Sequence, residues 1–191
     1  MIDKNVAKIN LKLNNNDPVL LVLGGSQGSK PLNKHFIKKC KEYLKYGIQI
    51  LWQCGKNDYE NINENIKDLN IHLIPFSDDM GTLYSASDIV VSRSGALALS
   101  EMALMGKAMV LVPFPQSAGN HQLKNAKSFS NSGAAILVPQ EKLNSGELEH
   151  TVMELLNNPK MIKEMEENSI QMASPNATNN IINSLMAVAQ S

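Results

Sequence analysis

Four short strings in the chain bring glycine, hydroxyl, amide and carboxylate groups together in ways suited to a phosphorylated ligand. The first is Gly24-Gly25-Ser26-Gln27-Gly28-Ser29, which ends an apolar run at 18–25. Glycines let a backbone approach an anion closely, and amides exposed at a helix start favour negative charge. Gly25, Ser26, Gln27 and Gly28 therefore form a candidate diphosphate loop. A tight turn needing positive φ is the competing explanation. A nicotinamide fingerprint is disfavoured, because the second apolar run ends Gln53-Cys54-Gly55, with no acidic residue to meet a ribose.

The second string is Phe76-Ser77-Asp78-Asp79-Met80. Asp78 suits the cap of a following helix, and Ser77 can present backbone groups to a base. The third runs Ser92-Arg93-Ser94-Gly95-Ala96-Leu97-Ala98-Leu99-Ser100-Glu101. Gly95 and the small Ala96 leave first-turn amides uncovered for phosphate oxygens. Glu101 interrupts an otherwise apolar helix; its carboxylate can accept from both hydroxyls of a ribose, or simply sit on an exposed stripe. Arg93, the only arginine among 18 basic residues, can pair with a phosphate or make a structural link to a carboxylate. The fourth string contains Asn120-His121-Gln122 at a helix start, amide and imidazole donors suited to sugar hydroxyls; His121 can equally be a histidine without a ligand.

The elements that must position these strings read as strands alternating with helices. Apolar strand runs fall at 18–25, 48–55, 71–76, 87–95, 108–114 and 134–139, and helices at 31–45, 57–68, 79–86, 96–106 and 120–131. Amphipathic helices follow at 145–156 and 159–172, and another after Pro175. Six strands separated by helical crossovers predict an α/β fold, an open doubly wound parallel sheet, in which ligands bind beyond the carboxyl ends of the strands. All four strings lie at such ends.

Composition narrows the function classes. The 191 residues suffice for one full-size domain. Eighteen basic and 18 acidic residues balance, which removes the positive field that nonspecific nucleic-acid binding needs. No apolar run approaches the length of a membrane span. The polar start MIDKNVAKINLKLNNNDP lacks the apolar core of a secretory signal, so a cytoplasmic location is expected. Cys40 and Cys54 lack the spacing of a zinc site and are expected as packed, reduced thiols.

GGSQGS after the first strand, FSDDM after the third, SDIVVSRSGALALSEMALMGKAMVLVPFP, and NHQLKNAK followed by SGAA occur in family-like order over about residues 18–140. In these motifs the chain resembles the carboxyl-terminal domain of the MurG family. The resemblance implies the second, Rossmann-like domain of a GT-B glycosyltransferase. Such an enzyme is inverting and metal-independent, uses UDP-N-acetylglucosamine as donor and needs no cofactor. By matching motif, Ser26 and its glycines face the diphosphate and Ser77 contacts uracil through its backbone. Ala96, Leu97 and Ala98 offer amides to phosphate, Glu101 holds the ribose, and Gln122 with His121 reads the sugar. Ser94, Leu99 and Ser100 complete the binding segment. Residue types at Ser77, Ala98 and His121 depart from the family pattern.

The same resemblance implies partners. The acceptor is lipid I, converted to lipid II in peptidoglycan synthesis at the cytoplasmic face of the cell membrane, with peripheral membrane association. Acceptor capture, the membrane-facing patch and the general base belong to an amino-terminal domain not found in this chain. Residues 1–17 are then expected to be residual interdomain linker and 18–191 the donor-binding domain. Two rivals remain: another UDP-sugar enzyme of this architecture, such as a 2-epimerase, and a split or non-catalytic UDP-sugar-binding subunit.

Overall fold

The computed structural model describes residues 2–25 and 27–173. Ser26 and the helix expected after Pro175 lie outside the described residues. Strands β1 (Val19–Leu23), β2 (Gln49–Gln53), β3 (Ile71–Ile74), β4 (Ile89–Ser92), β5 (Ala108–Leu111) and β6 (Ala135–Leu137) form one sheet in the order β3-β2-β1-β4-β5-β6. Every pairing is parallel. The expected α/β doubly wound sheet is the observed one, with strands shorter than the apolar runs because their last residues turn into the ligand-facing loops.

Helices α1 (Lys4–Asn10), α2 (Lys30–Lys45), α3 (Tyr59–Ile66), α4 (Met80–Ala86), α5 (Ala96–Leu104), α6 (His121–Asn131), α7 (Glu147–Leu156) and α8 (Pro159–Met172) surround the sheet. Alternation along β1 sends Leu20 and Val22 into one buried cluster and Val19, Leu21 and Leu23 into the other. Both faces of the sheet are therefore covered, which is why β1 is apolar at every position. On the first face α2 contributes Leu32, Phe36, Cys40 and Tyr43, spaced at helical period, against Trp52. On the second, Leu99, Met102 and Tyr84 pack together. Cys40 and Cys54 are buried free thiols, both pushed up by burial, Cys54 to about 11.

Residues 4–10, within the segment expected as linker, form a helix capped by the Asp3 carboxylate, which accepts from the Asn5 and Val6 amides. Ala7 is fully buried, and Lys8 Nζ donates to the Asn15 and Asp17 carbonyls, so this helix packs on the domain. The cap of α4 is Asp79, not Asp78. Asp79 Oδ1 accepts from the Thr82 amide at 3.0 Å and Oδ2 from the Thr82 hydroxyl at 2.6 Å. The helix starts at Met80, and a cap must immediately precede the first helical residue.

Candidate functional site

The strand order reverses between β1 and β4, which lie side by side with Leu23 opposite Ser92. The loops leaving these two strands diverge to opposite faces and leave a crevice, the place where doubly wound sheets bind ligands. A cleft of about 480 Å³ lies there, lined by the glycine loop (Gly24, Gly25, Gln27, Gly28), the start of α2, and Arg93, Gly95, Ala98, Phe114 and Gln122.

The glycine loop is shaped by close backbone packing. Gly25 and Gly28 have φ of +82° and +78°, and Gly55 has +88°. The turn explanation offered for this string holds, since Gly25 and Gly28 take positive φ, and Gly24, Gly25, Gln27 and Gly28 also line the cleft. Asn33, buried on α2, fixes the neighbouring loop by donating from Nδ2 to the Cys54 carbonyl and the Asp58 carboxylate.

Across the cleft, α5 begins at Ala96 with Gly95 as its cap residue, and no side chain caps it. Leu99 is the first residue whose amide is bonded in the helix, to the Gly95 carbonyl at 3.0 Å. The amides of Ala96, Leu97 and Ala98 precede it and are the orphan donors that every helix start carries. Gly95 has an ordinary φ of −67°, and a Cβ there would meet nothing within 4 Å. Neither packing nor backbone conformation therefore requires glycine at this position.

Arg93 is committed to the scaffold. Its Nε donates to Ser29 Oγ at 3.0 Å, Nη1 to the Val112 and Pro113 carbonyls, and Nη2 to Gln140 Oε1 at 2.7 Å. The guanidinium also lies over the Phe114 ring, 5.7 Å from its centroid. One side chain thus joins the ends of β1, β4, β5 and β6. Burial lowers the guanidinium to about 10, which leaves it charged at neutral pH. A carboxylate, one of the two partners expected for Arg93, is absent from this set; carbonyl, hydroxyl and amide oxygens make the structural link.

Gln122 accepts from the Phe114 amide through Oε1 at 3.0 Å, and its carbonyl accepts from Ser94 Oγ at 2.8 Å. Its Nε2 has no partner among the described residues, and Gln122 is one of the residues lining the cleft. Glu101, three residues beyond Ala98 on the same helix face, accepts from the Tyr84 hydroxyl at 3.0 Å; like Ala96 and Leu97, it stands beside the cleft and not in its lining.

Several expected residues fall elsewhere. Leu99 is corrected: its side chain is buried in the second cluster, and its amide is used within α5. Helical period turns it away from the face that carries Ala98. Ser94 is also corrected, since its buried hydroxyl is spent on the α6 backbone. Ser100 bonds back to the Ala96 carbonyl, and Ser77 Oγ accepts from the Asp79 amide; neither lines the cleft. His121 is exposed, with Nδ1 at 2.6 Å from the Ala118 carbonyl, and is likewise outside the lining. The sequence reading missed Lys30, an exposed cation at the cleft; a basic residue directly after a glycine-rich loop was the available signal.

The family model for the glycosyltransferase family 28 C-terminal domain matches residues 19–181. The chain belongs to this family. It is 37% identical over 180 residues to a UDP-N-acetylglucosamine–N-acetylmuramyl-(pentapeptide) pyrophosphoryl-undecaprenol N-acetylglucosamine transferase of Flavobacterium psychrophilum, covering 94% of this chain and 49% of that protein. The crystal structure of Acinetobacter baumannii MurG superposes with a TM-score of 0.80 at 31% identity, over 95% of this chain and 53% of that one. A UDP-GlcNAc 2-epimerase from Neisseria meningitidis, bound to UDP-GlcNAc, matches with a TM-score of 0.65 at 19% identity, over 96% of this chain and 48% of that one, and shares the fold alone. The MurG resemblance read from the motifs is borne out, and the chain spans about half the length of the curated relatives it matches. Among the described residues no three His, Cys, Asp or Glu side chains gather as a metal-binding group, and no helix is long and apolar enough to cross a membrane.

Proposed function

We propose that this family 28 domain binds UDP-N-acetylglucosamine as the donor half of an inverting N-acetylglucosaminyltransferase that converts lipid I to lipid II. The observation that carries this reading is the uncapped start of α5, where Gly95 and Ala98 line a cleft opposite a positive-φ glycine loop and the first-turn amides have no partner within the helix. A diphosphate suits this geometry, because the helix-start amides and the α5 dipole complement its negative charge.

In the reaction the hydroxyl oxygen of the acceptor muramyl sugar bonds to the anomeric carbon of the donor. The bond from that carbon to the diphosphate oxygen breaks, its electron pair leaves with UDP, and the hydroxyl proton passes to a base. Charge growing on the diphosphate is stabilised by the Ala96, Leu97 and Ala98 amides, with Lys30 nearby, and needs no metal ion. Glu101 holds the ribose, Ser77 lies towards the base, and Gln122 Nε2 reads a sugar hydroxyl. The acceptor and base belong to polypeptide outside these residues, which accords with the chain matching half of its relatives' length. The work is done at the cytoplasmic face of the membrane, where the lipid-linked acceptor is met peripherally.

Gly95→Asp tests this directly. Aspartate is a preferred cap and complements the helix dipole, so the melting temperature is expected to hold or rise. Its charge at the phosphate position should lower UDP affinity, measured by calorimetry in the presence of chelator, by roughly tenfold or more. Unchanged UDP affinity would place the diphosphate elsewhere.

A further inference from the structure

Tyr84 is 1% exposed and packs in the second core cluster with Leu83, Val90, Leu99 and Met102. Its position is fixed from both sides. The Tyr84 carbonyl accepts from the Ser87 amide and hydroxyl, and the Ser87 carbonyl accepts from the buried Lys107 ammonium at 2.8 Å. The phenol has one partner among the described residues, Glu101 Oε2 at 3.0 Å. Burial, and then the Glu101 carboxylate, push the phenol up, so it remains a protonated donor. Glu101 Oε1 has no protein partner among the described residues, and the residue is half-buried on the helix face that carries Ala98. A glutamate has three rotatable bonds, and bonding one carboxylate oxygen to a rigid post narrows the directions in which the other can point.

We propose that Tyr84 is a positioning residue that holds the Glu101 carboxylate for a vicinal diol, and so sets the preference of this site for ribonucleotides over 2′-deoxyribonucleotides. The inference rests on the reading of Glu101 as the ribose acceptor. With both ribose hydroxyls donating, each bond to a carboxylate requires the acceptor lone pairs to point at a fixed place. A freely rotating carboxylate can still meet one hydroxyl by adjusting, and therefore discriminates less against its loss.

The test is a double-mutant cycle on the ratio of affinities for UDP and 2′-deoxy-UDP, titrated calorimetrically for the unaltered chain, Tyr84→Phe, Glu101→Ala and the double variant, with melting followed for each. The unaltered chain is expected to favour UDP by roughly tenfold, the scale of one hydrogen bond to a charged group. Tyr84→Phe should reduce this preference to about threefold and have no further effect on it once Glu101 is alanine, because it acts only through that carboxylate. The double variant leaves no buried hydroxyl unpaired, so it guards against a Glu101→Ala chain that folds poorly. If Glu101→Ala abolishes the preference while Tyr84→Phe keeps it, Tyr84 has only a packing role and the proposal fails, with the ribose reading intact. If neither substitution alters the ratio, the ribose reading fails and this inference with it.

Discussion

Gly28 and Gly55 meet backbone to backbone: a Cβ on Gly28 would lie 2.3 Å from the Cys54 carbonyl oxygen, and one on Gly55 would lie 2.6 Å from Gly28 Cα. The ends of β1 and β2 are thereby held in close backbone contact at Gly28 and Gly55. At Gly55 the backbone of the facing loop leaves no room for a side chain of any kind.

Gly25 and Gly28 share a positive φ, but Gly25 faces open space. Gly25→Ala is therefore expected to cost about 1–2 kcal/mol, the left-handed backbone penalty alone. Gly28→Ala should cost clearly more, since the clash is with a carbonyl that cannot move without unfastening Asn33. Chemical denaturation of the two variants measures the difference; equal losses would mean that the loop yields at Gly28.

Arg93→Lys keeps the charge but not the fork. An ammonium cannot satisfy Ser29, the Val112 and Pro113 carbonyls and Gln140 together. A loss of about 2–3 kcal/mol is expected, with weaker UDP binding as the loops part. Stability equal to that of the unaltered chain would show that the four contacts contribute nothing.

Glu101→Ala leaves the buried Tyr84 hydroxyl without its acceptor, a cost of about 1–3 kcal/mol. Glu101→Gln retains an acceptor and should melt close to the unaltered chain, yet still bind UDP less tightly, because a neutral acceptor is roughly half as strong. Thermal melts paired with titrations separate the two. If Glu101→Gln destabilises as much as alanine, the pinned contact depends on charge.

Stability should fall on mild acidification. Burial lowers His35 and His72 below the ordinary histidine value of 6.5. His35 Nδ1 faces the Leu143 carbonyl, and its Nε2 lies 3.8 Å from Glu149 Oε2, with Lys39 beside that carboxylate and Glu42 bonded to Lys39. Just below pH 6.5 the unfolded chain takes up protons that the folded chain refuses, so unfolding free energy rises with pH through that window and flattens above it. The slope should diminish in a His35→Gln/His72→Gln variant, measured by urea denaturation between pH 5.5 and 7.5 on the scale of one proton per histidine. An unchanged slope would assign it to other groups.

Strand-and-helix alternation, the parallel sheet and the loops at strand ends were legible in the sequence because they depend on local period: short apolar runs bounded by glycine, then helices with one apolar stripe. The orphan amides at Ala96 to Ala98 were legible for the same reason, since a small residue after glycine opens a helix start wherever it lies. Local pattern reached as far as that. It put the α4 cap one residue early, at Asp78, and placed Leu99 among the ligand contacts although helical rotation buries it. Only the tertiary structure decided that β1 lies beside β4, which makes one cleft from residues about 70 apart in sequence. It also tied Arg93, read as either a phosphate ligand or a structural link, to Ser29, Pro113 and Gln140, and set the Tyr84 phenol against Glu101. These relationships follow from strand order and the packing of distant helices, which no window of sequence contains.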